Sequence, residues 1–176
     1  MDSKSLPSLV LCVAFTFGTA PLHAQQTPPA NPLDNVPEKM PADIPYGAPI
    51  TLERAEAAIA AAVIEAKKRD WKLNVAVVDS GGNLVAFQRM DGAQLASIQI
   101  SEHKARAAAT YRRETKAFET GIQSGATYLI TLDGLIASRG GIPLIEAGKL
   151  VGAIGCSGGT GSQDEVACKV GAATVK

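Results

Sequence analysis

Apolar residues at Leu52, Ala55, Ile59, Val63 and Ala66 recur at helical spacing. The pattern predicts a helix over Leu52–Arg69, with Thr51 placed to cap it. Lys67, Lys68 and Arg69 fall in its last turn, where the helix dipole favours cations. The period then changes. Asn74–Asp79 and Leu84–Arg89 are short runs of β-formers around Ser80-Gly81-Gly82-Asn83, the pattern of a hairpin. Helical spacing returns over Ala96–Arg112, and a shorter helix over Thr115–Gln123 ends near Gly121. Tyr128–Leu132 reads as a strand and Leu135–Ser138 as a weaker one. Pro143–Glu146 and Lys149–Cys156 flank Ala147-Gly148 as a second hairpin. Ser162–Ala173 closes the chain as a helix, opened by the capping box Ser162-Gln163-Asp164-Glu165. Successive hairpins imply an antiparallel sheet of about five strands, and the helices around them imply an α+β fold in layers.

The first fifty residues carry a different pattern. Lys4 precedes an apolar run over Leu9–Ala20, too short to span a hydrocarbon layer of about 30 Å. Leu22-His23-Ala24 then ends on a small residue. Residues 1–24 are expected to be a secretory signal cut after Ala24, which places the protein in the periplasm or outside the cell with no membrane span after cleavage. Seven of the ten prolines fall within residues 25–49. Their fixed φ and missing donors predict an extended, poorly packed arm, able to wrap onto a neighbour. The folded domain is expected over residues 50–176.

Composition narrows the function. Lys plus Arg is 17 and Asp plus Glu is 17, so no basic surplus exists to displace counterions from a nucleic acid. Aromatic residues are 5%, too sparse for base-stacking platforms. Cleavage would remove His23 and Cys12, leaving His103 as the single imidazole with Cys156 and Cys168. An oxidising compartment allows those two thiols to pair, but spacing alone does not say whether they meet.

Gly155-Cys156-Ser157-Gly158-Gly159 fits a nucleophile elbow on paper, yet no histidine follows Ser157. The glycines at 158, 159 and 161 match no phosphate-binding spacing, and the cysteines match no zinc spacing. No catalytic residue is assigned. The Ala96–Arg112 helix is more informative. Ala96, Ile100, His103, Ala107 and Tyr111 share one face, and Ile98, Ser101, Ala105, Ala108 and Ala109 another. So small a helix can be approached from two sides, one by the sheet and the other by a subunit or a flat ligand. On it, His103 is able to bind iron through a ring nitrogen. Met90 offers a thioether, and Lys104, Arg106, Arg112 and Arg113 offer cations for carboxylates.

The chain also resembles the GlcG/HbpS family, which includes the C-terminal domain of PduO-type proteins. The matching runs include Leu52-Glu53-Arg54-Ala55, Val77 to Leu84, and Phe87 to Ala93. They continue through Ser97-Ile98, Lys104-Ala105-Arg106, Gly140 to Leu144, Val151 to Gly155, Ser157-Gly158 and Gln163-Asp164-Glu165. The resemblance implies a profilin-like three-layer α/β/α fold, assembly into homo-oligomers, and haem as the small ligand. On this reading an exported protein captures or handles haem, or senses redox state through it. His103, as the single imidazole after cleavage, is the candidate axial ligand of the iron, and Met90 the second. Lys104 and Arg106 would meet the propionates, and Gly141 to Pro143 would let backbone approach the ring. An alternative is a binder or enzyme of hydroxy-acid or diol metabolism using Asp79, Asp91, Arg89 and Arg106, with a carboxylate tuned by burial. A third is a structural oligomer without a ligand.

Overall fold

Ala55, Ala58, Ile59, Ala62, Val63 and Ala66 form a continuous low stripe along α1 (Leu52–Lys68), and all six are buried. Leu52, expected in that stripe, is exposed, on the wall of an open cavity that Ile59 and Val85 also line. The computed structural model describes residues 36–40 and 43–176, so the predicted signal and residues 25–35, 41 and 42 of the arm lie outside it.

Among the described residues four strands form the sheet: β1 (Asn74–Asp79), β2 (Leu84–Arg89), β3 (Gly141–Glu146) and β4 (Lys149–Ser157). Their order is β2-β1-β4-β3, every pair antiparallel. Alternation sorts the two faces. Val75 and Val77 of β1, with Ile154 and Cys156 of β4, join the cluster beneath α1 and α4 (Gly161–Ala172). Ala76, Val78 and Ala153 face the other way and meet Ala105, Ala108 and Ala109 of α2 (Ala96–Thr110). The result is the expected three-layer α/β/α fold. The alanines and two glycines set how close α2 lies. A Cβ on Gly155 would collide with the Ser101 carbonyl, and one on Gly141 with the Lys104 carbonyl.

Local differences from expectation have physical reasons. The sheet has four strands where about five were predicted. Tyr128–Leu132 is not a strand; Thr127–Thr131 coils into a 3-10 helix after α3 (Lys116–Gln123). Its polar groups bond locally, Leu129 N to the Ala126 carbonyl and Thr131 Oγ1 to the Tyr128 carbonyl. Residues 135–138 form no strand either. The capping box of α4 is shifted: Thr160 Oγ1 accepts from Gln163 N, and Gln163 Oε1 accepts from Thr160 N.

The end of the arm is packed, contrary to expectation. Gly47 N donates to the Leu150 carbonyl and Leu150 N to the Pro45 carbonyl, extending the sheet where β1 has ended. Tyr46 Oη donates to the Thr110 carbonyl, and the Arg112 guanidinium lies 5.4 Å from the Tyr46 ring centre while donating to the Ile44 carbonyl. Cys156 and Cys168 do pair, joining β4 to α4 with Cα atoms 5.7 Å apart. That distance suits an unforced bridge.

Candidate functional site

Successive residues on a helix point about 100° apart. The turn of α2 that carries Ser101, Lys104, Ala105 and Ala108 inward therefore turns Gln99, Glu102, His103 and Arg106 outward. These four line an open cavity of about 310 Å³. His103 is half-buried, and its Nε2 lies 3.1 Å from the Gly134 carbonyl. A carbonyl only accepts, so Nε2 carries a hydrogen, and in the neutral ring Nδ1 then keeps the lone pair. Arg106, one turn along, donates from Nε to the Gly82 carbonyl and lines the same cavity.

Lys104 is not available to propionates, which corrects the sequence expectation. It is 1% exposed, and Nζ donates to Asp164 Oδ2 at 2.8 Å and to the Cys156 carbonyl at 3.1 Å. Asp164 Oδ1 accepts from Gly159 N. Burial pushes the Asp164 carboxyl above the usual range, against the pull of the Lys104 ammonium and the Gly159 amide. The pair pins α2 to β4 and α4 beside the disulfide.

Met90 is also misplaced for a shared iron. It packs into the cluster under α1 and α4, whereas His103 stands on the helix covering the opposite face. Gly141 and Pro143 give no ring access. Gly141 is buried under the α2 backbone and exchanges hydrogen bonds with Thr115, and Pro143 pairs with Ala153 on edge strand β3. Of the residues proposed to hold haem, His103 and Arg106 share the outer face of α2.

The alternative organic-acid set is dispersed. Asp79 binds its own turn, accepting from Gly81 N, Asn83 N and Asn83 Nδ2. Burial tends to raise its pKa, but hydrogen bonds from Asn83, Gly81 and Gly82 outweigh it and hold the carboxyl below the usual range. Asp79 is therefore poorly suited as a base near neutral pH. Asp91 and Arg89 line a separate cavity with Lys67 and Lys72. Among the described residues no group of three or more His, Cys, Asp or Glu could hold a metal ion, and no helix is long and apolar enough to cross a membrane.

Sequence reasoning missed three partners. Asp164 is 60 residues from Lys104, and no local pattern announces such a pair. Tyr111 Oη donates to the Asp133 carbonyl at 2.6 Å, beside the His103 contact with Gly134. The glycines at 125 and 134, which bracket the 3-10 segment, were the available signal for that contact.

Known proteins share this architecture. GlcG of Escherichia coli (strain K12) is 41% identical over 108 residues, covering 61% of this chain and 81% of that protein. A double mutant of HbpS from Streptomyces reticuli superposes with a TM-score of 0.69 at 31% identity, covering 85% of this chain and 99% of the other. A PduOC complex with haem has a TM-score of 0.67 at 24% identity, covering 73% and 96%, and at that identity supports the fold alone. The family model described as haem degrading protein HbpS-like matches residues 50–173, and the chain belongs to that family.

Proposed function

We propose that this is an exported haem-binding protein that holds haem against the outer face of α2. The observation that carries the reading is the pairing of His103 and Arg106 one turn apart on the wall of a single cavity. The donor set fits. An imidazole is a common ligand of haem iron, and a guanidinium matches a propionate carboxylate. The described family of haem-degrading proteins supports the same ligand. Bound haem would supply redox-active iron; the chain supplies the nitrogen, the cation and a rigid helix behind them. Lys104 contributes indirectly, by anchoring the turn from which His103 projects.

Export belongs to the same proposal. The signal pattern over residues 1–24 supports it, and so does the Cys156–Cys168 bridge, since structural disulfides persist in oxidising compartments. Assembly into a homo-oligomer, implied by the family resemblance, is part of the proposal too, and sedimentation of the purified protein tests it.

Titrating haem into the purified protein tests the ligand. A Soret band shifted from that of free haem is expected, lost or strongly altered in His103→Ala and weakened in Arg106→Ala. An unchanged band in His103→Ala removes the ligand assignment. Absence of any bound spectrum in the wild type removes the haem reading itself.

A further inference from the structure

We infer that residues 125–134 form a hinged flap latched to α2 by His103 and Tyr111, and that haem iron reaches His103 Nε2 only when the flap is released. The second half of this inference rests on the haem reading; the first half does not.

The hinges are visible in the backbone. Gly125 has φ +97° and Gly134 has φ +69°, where other residues are strained. A Cβ at either position would meet nothing within 4 Å. These glycines therefore serve conformation rather than close packing. The segment between them has its own local hydrogen bonds in the 3-10 helix and joins no strand ladder. Tyr128 and Ile130 stand out from it, 47% and 72% exposed.

Few ties hold the segment down. Ala126 N donates to the Gly121 carbonyl of α3 at 2.9 Å, and Leu129 rests against the same glycine. At its end, two neighbouring carbonyls are held by side chains of α2 and its C-cap. Tyr111 Oη donates to Asp133 at 2.6 Å and His103 Nε2 donates to Gly134 at 3.1 Å. The Tyr111 ring is itself fixed edge-on to Phe118, with ring centres 5.2 Å apart.

The competition follows from the chemistry of imidazole. Each ring nitrogen has one in-plane position, for a hydrogen or for a metal. Nε2 cannot donate to Gly134 and coordinate iron together. In the neutral ring Nδ1 has the free lone pair, but it is bonded to Cγ and so lies nearer the main chain, with less room for a group as wide as a porphyrin than Nε2 has. Ligation at Nε2 therefore breaks one of the two latches, and an intact Tyr111 contact resists it.

Tyr111→Phe removes the second latch and leaves His103 untouched. Hydrogen exchange across residues 125–134 is expected to accelerate roughly two- to tenfold in Tyr111→Phe and in His103→Ala, the range of one net hydrogen bond. Stopped-flow mixing with haem is expected to show Tyr111→Phe associating faster than wild type by a similar factor. Unchanged exchange in both variants overturns the latch. Faster exchange with an unchanged association rate overturns the gating while leaving the haem reading intact. No haem uptake by any variant overturns the haem reading and the gating together, and the exchange rates still judge the latch.

Discussion

His103 and Lys104 are consecutive on one helix, yet they belong to two different regions. Lys104 enters a junction where α2, β4 and α4 are joined by a buried ion pair and a disulfide. His103 faces a cavity and a segment held by a few contacts. In the first region the Lys104 ammonium is committed to the Asp164 carboxylate and the Cys156 carbonyl, and removing it strands the carboxylate. In the second, the groups keep chemistry in reserve. The difference teaches that a residue's type and its place in a motif do not reveal its role; the 100° step of the helix assigns one neighbour to a buried ion pair and the other to the wall of an open cavity.

Lys104→Met should break the comparison most severely. It leaves the Asp164 carboxylate buried without its cation, at a cost of about 3–5 kcal/mol by urea unfolding. His103→Ala, one position earlier, should cost less than about 1.5 kcal/mol, the value of one net hydrogen bond. Similar losses for the two variants would erase the contrast. Joint replacement, Lys104→Met with Asp164→Leu, should recover much of the stability, because no stranded charge remains.

The covalent half of the junction comes next. Cys156→Ala with Cys168→Ala should lower stability by about 2–4 kcal/mol, consistent with closure of a short loop. A reductant added under denaturing conditions, where the buried bridge becomes accessible, should reproduce that loss in wild type. The 125–134 segment should keep its exchange rates in the double variant, because its ties run to α2 and α3 and not to α4.

The smallest effect is expected from acid. Glu119 is held below the usual glutamate range chiefly by the hydrogen bond from Arg139, with burial acting the other way. For Glu165, burial is the largest influence and raises the pKa, but Lys169 and Lys116 together prevail and lower it. A carboxylate with a depressed folded pKa stabilises the fold above its unfolded value and loses that contribution as pH falls through the folded one. The melting temperature should therefore be insensitive to these two groups near neutrality and decline below about pH 4.3. Glu119→Gln should flatten that decline; an identical pH profile in the variant would show that the Arg139 pair carries no such linkage.

Much of this molecule was legible before any coordinates. Helical spacing located α1 and α2, and glycine turns located both hairpins, because those signals are set by neighbours within a few residues. The layered fold followed from their order. Tyr128–Leu132 reads as a strand because a short run of apolar and β-forming residues looks like one whether or not another strand is there to pair with it. The shifted cap of α4 shows the same limit at smaller scale: Ser162 and Thr160 both precede a suitable partner, and only the start of the helix selects between them.

The candidate site divides in the same way. His103 and Arg106 could be named from residue chemistry and helical spacing, and they do share a face. Lys104, Met90, Gly141 and Pro143 could not be sorted, since each has a side chain or backbone equally suited to packing and to a ligand.

From its sequence alone this chain determined its element types, its antiparallel layering and the scarcity of imidazole. Tertiary structure alone decided that Lys104 is internal, that Cys156 meets Cys168, that the arm pairs with β4 beyond the end of β1, and that Gly134 occupies Nε2 of His103. The reason is range. Periodicity and turn chemistry act over a few residues, whereas a buried charge, a disulfide and a masked imidazole depend on groups 12 to 60 positions away.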